Sequence, residues 1–133
     1  MEFYRLWVGG SREVPPRLRH KIRLAIKKRV DEILQEKGTT RLRIVIVHGG
    51  ARGVDQLAEE TARMLFIATE VHRPDYARYG RGAPFKRNED MCDVADEALF
   101  FWDGQSRGTK HSIILARRFK LKHQVVLFSE LTG

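Results

Sequence analysis

The chain's 133 residues give room for one domain with one core, so the span 1–133 is expected to be a single domain. Hydrophobic residues at 42% and charged residues at 32% exclude a disordered chain, and no apolar run reaches the roughly 20 residues of a membrane helix. The formal net charge of +8 points toward polyanionic partners, nucleotides or nucleic acid among them.

The start, Met1-Glu2-Phe3-Tyr4-Arg5, carries neither a basic leader nor a long apolar segment. Cys92, the single cysteine, cannot close an internal disulfide, and a cytoplasmic setting is expected. A first strand runs from Phe3 to Val8 and ends at Gly9-Gly10-Ser11-Arg12. Pro15-Pro16 opens a long helix with Leu18, Ile22, Ala25, Ile26, Val30 and Ile33 at helical spacing, and Gly38 stops it. Its first half, Arg17 through Arg29, presents a basic stripe with Arg19, Lys21, Arg23, Lys27 and Lys28. Leu42 to Val47 reads as a buried parallel strand, and His48-Gly49-Gly50-Ala51-Arg52-Gly53 breaks it. A second helix turns Val54, Leu57, Ala58, Thr61, Ala62 and Leu65 inward, with a Glu59–Arg63 pair on its surface.

Ile67 to His72 forms a third strand, followed by a structured loop from Arg73 to Pro84 and a helix from Phe85 to Val94. A fourth strand, Ala98 to Trp102, ends at Asp103-Gly104-Gln105-Ser106-Arg107-Gly108, and Thr109 caps a last helix through Phe119. Val125 to Phe128 closes the pattern as a fifth strand. Trp7 and Trp102 are assigned to the core. Strands alternating with helices predict an α/β domain: a Rossmann-like, doubly wound parallel sheet of about five strands with helices on both faces. Ligands of such sheets sit beyond the carboxyl ends of the strands.

The residues that carry chemistry lie in loops at that edge. Gly49-Gly50-Ala51-Arg52-Gly53-Val54-Asp55 joins a buried strand to a helix, so its backbone can admit a phosphate and the helix start favours an anion. Arg52 adds a charge-assisted contact. The loop after the fourth strand repeats the design: Ser106, Arg107, Gly108 and Thr109 offer donors, and Asp103 accepts from a ribose or base. Gly10-Ser11-Arg12 is the third such turn. Asp55 and Asp103 are the only carboxylates placed for catalysis, and the scattered histidines make no metal set. His48 is read as a structural or neutral hydrogen-bonding group, and His111 as solvent-facing. Tyr76 and Tyr79, beside Asp75, either stack on a base or anchor their loop.

Together these pieces, with Arg87-Asn88, Met91, Ala95-Asp96, Phe101-Trp102-Asp103-Gly104 and Ser106 to His111, resemble the SLOG superfamily, and within it the small stand-alone YspA-like branch. That group includes the LOG cytokinin-activating enzymes and DNA-processing protein A. The resemblance implies the strand order 3-2-1-4-5, frequent assembly into a homodimer or higher homo-oligomer, and a ligand contact from Arg87 and Asn88 at the start of the third helix. It departs from the LOG enzymes at Ser112, which stands where their catalytic glutamate would be. The first expectation is therefore binding or sensing of a phosphate-bearing nucleotide, without cofactor or membrane. Two alternatives remain beside it: a nucleotide hydrolase of LOG type, and a non-specific DNA- or RNA-binding protein related to DNA-processing protein A.

Overall fold

Among the described residues, five strands are interleaved with five α-helices, two of which lie between the third and fourth strands. They are β1 (Tyr4–Gly10), α1 (Pro16–Lys37), β2 (Ile44–His48), α2 (Val54–Met64), β3 (Ala68–Val71), α3 (Tyr76–Tyr79), α4 (Ala83–Val94), β4 (Glu97–Trp102), α5 (Arg107–Arg118) and β5 (His123–Leu127). The computed structural model describes residues 2–131; Met1, Thr132 and Gly133, which the expected domain also takes in, lie outside them.

Every residue of β2 is buried, as its unbroken Ile-Val-Ile-Val run requires of a strand covered on both faces. The sheet order is β3-β2-β1-β4-β5 with all pairings parallel. The pleat sends alternate residues to opposite faces. Leu6, Val8, Ile44, Ile46, Leu99 and Phe101 pack under α1 and α2, whereas Trp7, Val45, Val47, Ala98 and Phe100 pack under α4 and α5. Helix α1 buries Leu18, Ile22, Ile26, Val30 and Ile33, one per turn, and ends where Gly38 turns left-handed at φ 58° and donates to Gln35 and Leu34. Among the described residues, no helix is long and apolar enough to cross a membrane.

Several boundaries differ from the sequence expectation, each for a local reason. The second strand begins at Ile44 because Arg41–Arg43 form a 3-10 turn that leaves Leu42 exposed. The last strand ends at Leu127 because Phe128–Leu131 form another. Helix α5 starts at Arg107 with Ser106 as its N-cap, so Thr109 is a buried residue of its first turn and not the cap. The segment expected as a loop from Arg73 to Pro84 holds the short helix α3 and a 3-10 turn over Gly80–Gly82. Pro84 sits in the first turn of α4, which places Arg87 and Asn88 within the helix rather than at its start. Trp102 is only half-buried at the rim. Arg29 leaves the predicted basic stripe: its guanidinium donates to both oxygens of Glu97, at 2.7 and 2.9 Å, and to Glu32 and Glu36.

Candidate functional site

The connection after β3 crosses the sheet, so β1 and β4 become neighbours, with Gly10 opposite Phe101. Their loops therefore flank the switch point where such sheets open a crevice. Ser11 joins them. Its backbone N–H donates to Phe101 O at 3.1 Å, its carbonyl accepts from Val54 N at 3.2 Å, and its hydroxyl accepts from Asp103 N at 3.0 Å and lies 2.7 Å from Ser106 Oγ. Buried to 1% exposure, Ser11 fastens the three loops to one another. Gly53 makes that closeness feasible: its φ is +80°, and a Cβ there would collide with the Ser11 and Arg12 carbonyl oxygens.

The loop after β2 is held from inside. Asp55 Oδ2 accepts from Gly49 N and Ala51 N, both at 3.2 Å. Burial pushes the Asp55 carboxyl upward, against the opposing pull of the Ala51 amide, His48, Arg87 and the Gly49 amide. His48 Nδ1 accepts from Gly50 N at 3.0 Å, so the ring proton sits on Nε2 and is donated to Glu59, 2.7 Å away. This pairing and Arg63 hold the Glu59 carboxyl low, His48 contributing most. Arg87 donates to Gly49 O at 2.6 Å, to Asn88 Oδ1 at 3.0 Å and to His72 O at 3.4 Å. Burial lowers its guanidinium pKa, and Asp55 opposes that. Asn88 in turn donates to His111 Nδ1 at 3.2 Å, and Phe85 meets the His111 ring edge-on at 4.7 Å between centroids. His111 is thus half-buried rather than solvent-facing, and burial lowers its pKa.

The loop after β4 is self-braced. Asp103 Oδ1 accepts from Gln105 N and Ser106 N at 2.8 Å and from Ser106 Oγ at 2.9 Å. Burial raises the Asp103 carboxyl, but the Ser106 and Gln105 amides and the Ser106 and Ser11 hydroxyls outweigh it and leave it below the usual range. Trp102 donates its indole N–H to Ser106 O at 3.1 Å, which explains its place at the rim. Beyond Ser106, the opening amides of α5, on Arg107, Gly108 and Thr109, have no intrahelical acceptor and carry the positive end of the helix dipole.

These loops enclose a cleft of about 460 Å³. Of the residues expected at the site, Gly10, Arg12, Ala51, Arg52, Asp55, Arg87, Asn88, Asp103, Ser106, Arg107, Gly108 and Thr109 line it. Ser11, Gly49, Gly50 and Gly53 stand behind it as its supports. Sequence reasoning missed Glu13, whose carboxylate pairs with Arg52 across an exposed part of the cleft. The only local signal was the Arg12-Glu13 step. Also unexpected is the extension of the basic surface. Arg12 and Arg52 line a second groove of about 310 Å³, shared with Arg19 and Arg23 of α1 and with Glu60, which accepts from Arg23 at 2.8 Å. Among the described residues no group of three or more His, Cys, Asp or Glu is placed to hold a metal ion. Burial raises the Cys92 thiol, on the far side of α4 from this cleft's lining.

No protein-family model matches this chain. The chain is 34% identical over 94 residues to the Gene 61 protein of Mycobacterium phage D29, a match spanning 66% of this chain and 75% of that protein. Among solved structures it is similar to DNA processing protein A from Helicobacter pylori, described for its single-stranded DNA binding mode, with 22% identity and a TM-score of 0.64. It is similar also to DNA processing protein A from Streptococcus pneumoniae, with 15% identity and a TM-score of 0.68. These likenesses cover 92% and 94% of this chain but only 64% and 50% of the two solved chains, and they show the fold.

Proposed function

We propose that this chain, which belongs to the same family as the Gene 61 protein of Mycobacterium phage D29, binds single-stranded DNA through its phosphates at the carboxyl edge of the sheet. The observation that carries this reading is the continuity of the basic surface. Arg12 and Arg52 are shared between the cleft, which also holds Arg107, and the groove that continues to Arg19 and Arg23. A mononucleotide needs the first only; a chain of phosphates uses both. Backbone amides at the start of α5 suit a phosphate oxygen, and the arginines add charge-assisted, sequence-independent contacts. The similarity in fold to a protein with a single-stranded DNA binding mode supports the same choice. Placement in the YspA-like branch rests on the loop motifs alone.

The carboxylates favour binding over hydrolysis. Asp55 and Asp103 accept hydrogen bonds from the very loops they stand in, and Ser112 Oγ donates to Gly108 O at 3.2 Å. A free nucleotide remains the second reading, supported by the cleft's volume, which lies in the range of small-ligand pockets.

Fluorescence anisotropy with a labelled oligothymidylate tests the proposal. Arg12→Ala and Arg52→Ala should each weaken binding by about 1–3 kcal/mol, the range for hydrogen bonds to charged groups. A free thymidine monophosphate should compete only weakly. Equal affinities for the monophosphate and the strand would overturn the strand reading in favour of a nucleotide site. Undiminished strand binding by both variants would remove the cleft from the account.

A further inference from the structure

We infer that Tyr76 is a stacking platform for the unpaired base next to the phosphate held at Arg12 and Arg52. This rests on the single-strand reading above and adds a subsite to it.

The connection between β3 and α4 interleaves cations and aromatics: Arg73, Arg78 and Arg81 with Tyr76 and Tyr79. The two tyrosines are in different situations. Tyr79 is covered by cations, with the Arg78 guanidinium 5.3 Å and the Lys86 ammonium 6.0 Å from its ring centroid. Tyr76 is 57% exposed; among the described residues its ring meets no other ring and no cation stands over its face, while its hydroxyl acts electrostatically on the Arg87 guanidinium. Its backbone is nonetheless fixed. Asp75 caps α3 by accepting from Arg78 N at 3.1 Å, and the Arg87 guanidinium ties His72 O, just before this segment, to Gly49 O in the phosphate loop. A rigidly presented, uncovered aromatic ring is what base stacking requires, because little order remains to be gained on binding.

Its position selects the ligand. Pro74 and Tyr76 share a groove of about 280 Å³ with the Gly49–Arg52 turn, Arg12 and Arg87. Arg12, Arg52 and Arg87 also line the main cleft. A planar group resting on Tyr76 is therefore adjacent to a phosphate in that cleft, which is the relation between a base and its own backbone. Stacking reads the face common to all bases, so the subsite favours unpaired strands without favouring a sequence. A duplex, whose bases are already stacked on one another, has no face to offer.

The test compares a labelled 12-residue oligothymidylate with a strand of equal length whose sugars carry no bases. The wild-type chain should prefer the base-bearing strand by about tenfold, within the range found for one base on one aromatic ring. Tyr76→Leu should lower oligothymidylate affinity to that of the base-free strand while leaving the latter unchanged, and Tyr76→Phe should keep the preference. An unaltered melting temperature will show that the exposed substitution leaves the fold intact. If both strands bind the wild type equally, or Tyr76→Leu weakens both alike, the platform is excluded and the phosphate site stands. If neither strand binds the wild type, the single-strand reading falls and the platform with it.

Discussion

Two carboxylates that sequence pattern singled out for catalysis are placed to shape loops, and the difference is measurable. Asp103→Ala removes the acceptor for two amides and a hydroxyl, and should cost about 1 kcal/mol of stability, as loss of a helix-entry acceptor does. Asp103→Asn keeps an oxygen at that position but loses the charge the loop donors favour, and should cost a smaller part of that loss. Denaturant unfolding checks both, and an equal loss in the two variants would show that charge, not geometry, is what the loop needs. Glu13 has the opposite role. Its ion pair with Arg52 is exposed on both sides, a class worth about 0–1 kcal/mol, so a phosphate readily displaces it. Glu13→Gln should therefore tighten strand binding by up to about fivefold. Weaker binding in that variant would mean that Glu13 orders Arg52 for the ligand instead of competing with it. The glycine turns were readable in the sequence because turn chemistry is local. The partners of those turns were not. Ser11 meets Ser106 across 95 positions, and Arg87 reaches Gly49 across 38, distances over which periodicity carries no information.

The same limit applies to elements. Helix α1 could be delimited from its proline start and glycine stop, yet beside its apolar packing it has a polar tie to the sheet through Arg29, which sequence reasoning placed on the basic stripe. Glu97 at the start of β4 is buried, accepts from Arg29 through both oxygens, and receives the Tyr4 hydroxyl at 2.5 Å. Burial alone would raise the Glu97 carboxyl; Arg29 and Tyr4 overcome it and hold the pKa below the ordinary glutamate value. The same contact, after desolvation, raises the Tyr4 hydroxyl. Because the folded pKa of Glu97 is depressed, its contribution is complete above the unfolded value and disappears as pH falls through the folded one. Arg29→Met leaves the buried carboxylate with only the Tyr4 hydroxyl and the more distant Lys122 ammonium, 3.9 Å away, and should cost up to about 3–5 kcal/mol at neutral pH. That loss should shrink on acidification, as Glu97 takes up a proton. A loss that is the same at neutral and acidic pH would show that Arg29 acts through packing alone.

At the scale of the whole molecule, the strand alternation sufficed to predict a doubly wound sheet, whereas its order 3-2-1-4-5 came from the resemblance and is confirmed by the pairing of β1 with β4. That order is what brings three separate glycine turns around one cleft. It also determines how charge is used. The excess of +8 is not a uniform coat, since Arg23, Lys27, Arg29 and Lys86 are each paired to a carboxylate. Arg12, Arg19 and Arg107 have no ion pair among the described residues and line the cleft or its extension. Binding to a single strand should therefore weaken with salt, with a slope near −0.7 per phosphate contacted. Arg12→Ala with Arg52→Ala should flatten that slope by about 1.4, and Arg19→Ala by about 0.7 more. A slope indifferent to these changes would separate the charge from the cleft.

Hydrogen exchange of the backbone amides, with and without a saturating oligothymidylate, asks most directly where a strand lies. Protection should appear over Gly49 to Gly53 and over Arg107 to Thr109, the loops whose amides line or support the cleft. Protection confined to the exposed face of α1, with those two loops exchanging as in the free protein, would contradict the account.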